Sequence, residues 1–464
     1  MTAPRDCRPF FKPESVAVIG AGERLTSSGG AVLRNLIASK YAGRIVPVNP
    51  KGGEILGLPA ATSLSELDEP VDLAVVVIRP DLILDVVDEA AATGHKNLMI
   101  LPGGFREAGE EGVAREAELL RKADAAGITI FGPNCAGIVH LAEGAPFAAT
   151  FLRDLPPGGG IAAISQSGAI TEEIIAKANQ DRLPVSTVVS VGNAIHLEVT
   201  DYLEYLGGQD SCRCVLLYIE SIADPDRFRQ VARRVAAKKP VVALMGGGTE
   251  KGAAAVRNHT GGTTMPDAEI DTYLRECGVI RVSSVRRLLL AGKGFGFHPE
   301  GIGSRVLLLS NSGGPGVITT DRLRAEGLDM PDLPDTYAAK LREMLPGEAA
   351  VANPIDLLAD AREDRFGPAF KAAIAHGSDA FDAILMIHVV PFMVDAGPII
   401  DTLSGLTAEV DMPCFHSMMG TLEHQAEWFA KMEAAGVPAF DDSESMAETA
   451  GILAQYPPLQ SALG

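Results

Sequence analysis

One histidine stands where several chemistries are open to it. His259 closes a run that reads Val241-Val242-Ala243-Leu244-Met245-Gly246-Gly247-Gly248-Thr249-Glu250-Lys251-Gly252 and continues Ala253-Ala254-Ala255-Val256-Arg257-Asn258-His259-Thr260-Gly261-Gly262. The valine-rich opening reads as a buried strand, and three glycines stop it. An imidazole can act near neutral pH as base, ligand or nucleophile, and a ring nitrogen can carry a phosphoryl group. Small neighbours leave room for a bulky group to reach it. Taken alone, the plainer reading is a loop histidine with no duty, so the rest of the chain decides. Glu220 ends the strand-like Tyr218-Ile219-Glu220 and falls on the same sheet edge as the His259 loop. A carboxylate bonded to an imidazole fixes its tautomer and favours its cation; the competing reading is an exposed glutamate that opens a loop.

Two segments repeat one pattern, a strand running through serines into glycine and a helix. They are Ile164-Ser165-Gln166-Ser167-Gly168-Ala169 and Ser310-Asn311-Ser312-Gly313-Gly314-Pro315-Gly316. Free amides at a helix N-terminus make an anion site, so Ser165, Gln166, Ser167, Gly168, Asn311, Gly313 and Gly314 are candidate phosphate contacts. A serine N-cap without a ligand is the alternative. Near the start, Val16-Ala17-Val18-Ile19-Gly20-Ala21-Gly22 is a strand entering a glycine turn, followed by Thr26-Ser27-Ser28-Gly29-Gly30. The dinucleotide fingerprint fails because position 25 is Leu, and Asn49-Pro50-Lys51 stands where a nicotinamide site wants an acidic residue. A nicotinamide dehydrogenase is therefore disfavoured. Lys51 suits a ribose phosphate, which coenzyme A carries. Leu101-Pro102-Gly103-Gly104-Phe105-Arg106-Glu107 and Gly132-Pro133-Asn134-Cys135 follow further strands at the same kind of edge. The candidate coenzyme A contacts are thus Gly20, Gly22, Ser27, Ser28, Asn49, Lys51, Gly103, Gly104 and Asn134. Asn353-Pro354-Ile355-Asp356 reads as a turn. No metal-ligand set is apparent.

The elements that must hold these residues are short apolar strands alternating with alanine-rich helices. Strand-like runs fall at 16–20, 44–48, 73–78, 97–101 and 129–131, then 161–165, 186–191, 214–219, 240–245 and 279–282, then 305–310, 383–389 and 412–416. Continuous apolar strands between helices imply parallel sheets covered on both faces, an α/β fold. Linker-like composition at Leu155–Gly160 and Gly292–Gly303 predicts three domains, 1–155, 156–297 and 298–464.

The 464 residues exceed one ordinary core, and 47% are hydrophobic. No apolar run reaches the ~20 residues of a membrane span, and no export signal is visible. A net charge of −20 without basic runs argues against nucleic acid and anionic membranes as partners. The six cysteines are scattered, which predicts reduced thiols in a cytoplasmic protein.

Taken in order, Val46–Lys51, Gly103–Glu107, Gly132–Cys135, Ser165–Gly168, Tyr218–Glu220, Asn258–Gly261, Asn311–Gly316 and Asn353–Asp356 make the chain resemble the α subunit of NDP-forming acyl-CoA synthetases, ADP-forming relatives of succinyl-CoA synthetase. The resemblance covers nearly the whole chain. It implies three Rossmann-like or flavodoxin-like domains: one for coenzyme A, one with a phosphohistidine at His259 steadied by Glu220, and one with a second phosphate-facing helix. It further implies an acid–thiol ligase working on a small carboxylic acid, with ATP or ADP and Mg2+ on a separate ATP-grasp β subunit, in an α2β2 assembly or as a homodimer of α. Two departures stand out. The family usually has lysine, serine, glycine and arginine where this chain has Met245, Gly246, Gly247 and Gly248, and Gly-Asn-Lys where it has Gly192-Asn193-Ala194, with an acidic residue replaced near His196. Fewer cations near a phosphoryl group motivate a rival, a coenzyme A- or acyl-CoA-binding regulatory or scaffold protein of weakened catalysis.

Overall fold

The structure is a computed structural model describing residues 5–463 apart from 143, 261–264, 378 and 392–394, with the side chains of 258–260 also outside the description. It divides into two compact units, Met1–Gly292 with Leu463–Gly464, and Lys293–Ala462.

Among the described residues the strands form sheets of five, seven and five members and a two-stranded hairpin. The first sheet orders its parallel strands Arg44–Val48, Ser15–Ile19, Leu73–Val76, Asn97–Ile100 and Thr129–Phe131. The second has Val185–Ser190, Ile161–Ser165, Cys214–Ile219, Val241–Met245 and Ile280–Arg281 in the same sense. The third has Ile355–Asp356, Val306–Ser310, Ala383–Val390, Cys414–Gly420 and Ala439–Phe440. All three therefore follow one order, second-first-third-fourth-fifth along the chain. The chain reverses direction across each sheet beside its first strand, which opens a crevice at the carboxyl ends there. Every strand expected from the sequence is present.

Alternating residues explain why these runs must be strands. In the first sheet Val16, Val18, Leu73 and Val75 enter a core shared with Ala162, Ile164 and Leu217 of the second sheet. Ala17, Ala74, Val76 and Leu98 enter a separate core with Val87 and Leu119, from the helices Ile83–Thr93 and Glu110–Ala126. Both faces are buried, so the apolar pattern is continuous.

Three details differ from expectation. Gly137–His140 and Phe147–Thr150 pair antiparallel and extend the second sheet from Val185–Ser190. Their run Phe147-Ala148-Ala149-Thr150 is too weakly β-branched to read as strand. Ile355–Asp356 is an edge strand beside Leu309 and Ser310 rather than only a turn. The glycine-rich stretch from Gly292 begins inside a helix, Val285–Phe297, where Leu288, Ala291 and Phe295 recur at helical spacing and are buried.

Candidate functional site

The crevice of the second sheet lies where Ile161–Ser165 and Cys214–Ile219 end side by side, with Ser165 opposite Tyr218. Ser165 is fully buried, and its Oγ donates to the Ser167 carbonyl at 2.8 Å while accepting the Ser167 N–H at 3.1 Å. That closes a tight turn and aims the helix Gly168–Gln180 with its N-terminus at the sheet edge. Ser167 caps this helix by accepting the Ile170 N–H. Gly168 stays exposed at the first turn, where helix amides favour an anion. The Gln166 side chain is spent locally. Its Oε1 accepts the N–H groups of Glu220 and Ser221, and its Nε2 donates to the Ser221 carbonyl at 2.9 Å. Gln166 thus fixes the segment that carries Glu220.

Glu220 is 6% exposed, with the Tyr218 hydroxyl donating to its Oε1 at 3.4 Å. Burial, reinforced by this carboxylate, pushes the Tyr218 phenol up to about 12, so it remains a donor. Strand Val241–Met245 lies next in the sheet, and the Gly246 N–H donates to the Ile219 carbonyl at 2.8 Å. A Cβ at Gly246 would meet the Tyr218 hydroxyl at 3.4 Å and the Glu220 Cγ at 4.0 Å. A small side chain would thus fit beside Glu220 at Gly246, whereas a Cβ on Gly248 would meet the Asp267 Oδ1 at 2.8 Å. The segment beyond is a helix, Glu250–Thr260, rather than a loop up to the histidine. Alanines at 253–255 carry it, and the Thr249 Oγ accepts the Gly252 N–H at 3.1 Å. His259 falls in the last turn; its side chain and residues 261–264 lie outside the described residues.

In the first sheet the candidate coenzyme A residues gather on the carboxyl edge. Ser27 caps the helix Ser28–Ala38 by accepting the Gly30 N–H at 3.2 Å. This N-terminus sits hard against the first strand, since a Cβ on Gly29 would lie 2.1 Å from the Gly20 carbonyl oxygen and one on Gly20 2.3 Å from that of Val77. Only glycine fits either place. Gly22 shares the turn, and its carbonyl oxygen would lie 2.3 Å from a Cβ on Gly30. Asn49 donates to the Ala21 carbonyl at 2.7 Å and accepts the Lys51 N–H at 3.0 Å, and Lys51 is exposed. Gly103 faces the Asn134 Oδ1, which a Cβ would meet at 3.0 Å. The Gly104 N–H donates to Glu107 at 2.6 Å.

Sequence reasoning missed the network that ties this edge to the second sheet. Asn193 is buried; its Nδ2 donates to Glu107 and to Glu116, each at 2.8 Å, and its Oδ1 accepts from Asn134 at 3.2 Å. Burial opposes ionisation of Glu107, but hydrogen bonds from Asn193 and from the N–H groups of Phe105, Glu107 and Gly104 outweigh it and hold the carboxyl below its usual range. Arg106 pairs with Glu116 at 3.1 Å. Glu107 and Asn193 stand inside noted segments, and a polar residue just past a glycine turn was the available signal. Beside this network lies a cavity of about 560 Å³.

In the C-terminal unit the second serine turn has the same internal bonding. Ser310 Oγ donates to the Ser312 carbonyl at 2.8 Å and accepts the Ser312 N–H at 3.0 Å. Asn311 is buried and pairs both ways with Val389, donating at 2.9 Å and accepting at 2.8 Å. Gly313 and Gly314 open the helix Gly313–Ala325 and are exposed.

Comparison with known proteins completes the picture. Residues 14–141 match the model of the CoA binding domain, and residues 158–295 that of the succinyl-CoA ligase like flavodoxin domain. The chain is 33% identical over 452 residues to the α subunit of acetate–CoA ligase (ADP-forming) II from Pyrococcus furiosus, covering 96% of this chain and 97% of that one. The chain belongs to the ADP-forming acyl-CoA ligase family. A second family member, acetate–CoA ligase (ADP-forming) I of Archaeoglobus fulgidus, is 33% identical, but this ligase chain spans only 63% of its length. Among solved structures, the dinucleotide-forming acetyl-coenzyme A synthetase 1 of Ca. Korarchaeum cryptofilum, in complex with phosphate and ADP, superposes with a TM-score of 0.91 at 28% identity, covering 99% of this ligase chain and 98% of that one. A Pyrococcus horikoshii protein gives 0.85 at 30% identity, covering 97% and 98%. Among the described residues no helix of the ligase is long and apolar enough to cross a membrane.

Proposed function

We propose that the chain is the phosphohistidine-carrying α subunit of an acid–thiol ligase that runs acyl-CoA + ADP + Pi ⇌ carboxylate + CoA + ATP. In the forward direction phosphate displaces the thiolate of coenzyme A from the acyl carbon, giving an acyl phosphate. The His259 ring nitrogen then takes the phosphoryl group and releases the carboxylate. ADP finally removes the phosphoryl group from His259, giving ATP and the free imidazole. Coenzyme A sits on the edge of the first sheet at Gly20, Gly22, Ser27, Ser28, Asn49, Lys51, Gly103, Gly104 and Asn134. Phosphate sits at the N-terminus behind Ser165, Ser167 and Gly168, and Asn311, Gly313 and Gly314 offer a second one. The nucleotide and Mg2+ belong to an ATP-grasp β partner, in an α2β2 assembly. The cytoplasm suits six unpaired, buried thiols.

One observation carries this reading. Glu220 is buried, held by the Gln166 contacts, at the edge from which the neighbouring strand leads to the helix of His259. A buried carboxylate there would fix the imidazole tautomer and stabilise its charged state as phosphate arrives. The relatives from Pyrococcus furiosus and Archaeoglobus fulgidus, both ADP-forming acetate–CoA ligases by name, support the reaction. The test is phosphorylation of the complex with its β partner by labelled ATP. Wild type acquires acid-labile phosphate, and His259→Ala acquires none; label on His259→Ala overturns the assignment. The absence of cations at Met245 and Gly248 favours the scaffold reading instead, which titration and a turnover assay support if coenzyme A binds while no acid turns over.

A further inference from the structure

Several segments line the cavity of about 560 Å³. Helix Glu110–Ala126 contributes Val113, Ala117 and Leu120. The segment after Val185–Ser190 contributes Ala194, Ile195 and Val199, and Ile222 lines it as well. Gln166, whose side chain holds the backbone of Glu220 and Ser221, and Ser221 itself also line it. Arg106, the cation among the described lining residues, is paired with Glu116, and Glu116 also accepts from Asn193. Glu198 adds a second carboxylate. Val113 remains 53% exposed, an apolar side chain held open to solvent at the wall. Ala194 lines the cavity next to Asn193.

We propose that this cavity is the acyl pocket of the ligase and selects monocarboxylates with a bulky apolar substituent, aryl or branched, over acetate and over dicarboxylates. The inference rests on the ligase reading. A pocket of this volume with mostly apolar walls suits a ring or branched chain, whereas the methyl of acetate leaves most of it empty. A second carboxylate would meet Glu116 and Glu198, where Arg106 is the one cation of the described lining and already faces Glu116. The reacting carbonyl sits beside Gln166 and Ser221, and the substituent points toward Leu120.

Two measurements test this separately from the reaction. Calorimetric titration of the full chain compares 3-phenylpropanoyl-CoA, acetyl-CoA and succinyl-CoA. The aryl ester binds on the order of ten-fold more tightly than either. Ala117→Trp, on the exposed wall of the helix, collapses the aryl-to-acetyl ratio to about three or less, and Ala194→Lys raises succinyl-CoA relative to the aryl ester. An acetyl-CoA affinity equal to that of the aryl ester, or a ratio indifferent to Ala117→Trp, overturns the pocket assignment. Turnover of the same acids with the β partner is the second measurement. Turnover with a preference for acetate sinks the pocket alone. Aryl preference in binding with no turnover of any acid sinks the ligase reading and leaves the pocket standing.

Discussion

At the scale of residues, Gln166, expected to contact phosphate, is instead spent on the backbone that carries Glu220. Its carboxamide satisfies two N–H groups and one carbonyl of Glu220 and Ser221. Leaving these backbone groups unmet is expected to lower stability by about 1–3 kcal/mol in Gln166→Ala. Because Glu220 rides on them, turnover with the partner falls further than stability does, while coenzyme A affinity holds; chemical denaturation, steady-state assay and titration check the three together. An unchanged turnover would count against Gln166 as the positioning residue. Glu220 itself was legible, since a carboxylate ending an apolar run is a simple signal. The role of Gln166 was not, because its partners lie more than fifty positions away in the chain. Asn193 and Glu116 were hidden for the same reason: each is ordinary in sequence and meets the other only through folding.

Strands and helices were far easier to read, because a buried parallel strand needs a continuous apolar run and a crossover helix needs none of its neighbours' identities. The antiparallel pair at Gly137–His140 and Phe147–Thr150 escaped because its alanines carry little β signal. The helix ahead of His259 escaped because the glycines that flank it dominate the composition. Glycine also sets the junction of helix Ser28–Ala38 with the first sheet. Gly29→Ala would drive a Cβ to 2.1 Å from the Gly20 oxygen, so the helix must move away from the strand. The expected results are a loss of about 1–3 kcal/mol of stability and a drop in coenzyme A affinity of about ten-fold or more, read by denaturation and titration. Retention of full affinity would show that this N-terminus does not face the nucleotide.

At the scale of the whole molecule, buried imidazoles set an acid limit. In the C-terminal unit burial holds His388 down to about 4 and His416 well below its usual value, and neither ring has a hydrogen-bond partner among the described residues. The unfolded chain protonates these rings near 6.5, so it binds more protons than the folded one below that pH. Stability contributed by the neutral rings is full above about 6.5 and declines as pH falls toward 4. Each ring is expected to remove about 1.4 kcal/mol between pH 7.5 and 5.5, seen as a lower denaturation midpoint of this unit; a flat midpoint would refute it. The two serine turns also compare across the molecule. Asn311 reaches one residue, Val389, and the strand runs on through it to Val390. Gln166, longer by one methylene, reaches past Glu220 to Ser221, and its strand stops at Ile219. The longer arm thus grips the chain just where its strand has run out of a neighbour, past Ile219 and Met245, while the shorter one holds a strand still paired to Met419 and Gly420, so one amide secures a departing carboxylate and the other a strand that stays in rank.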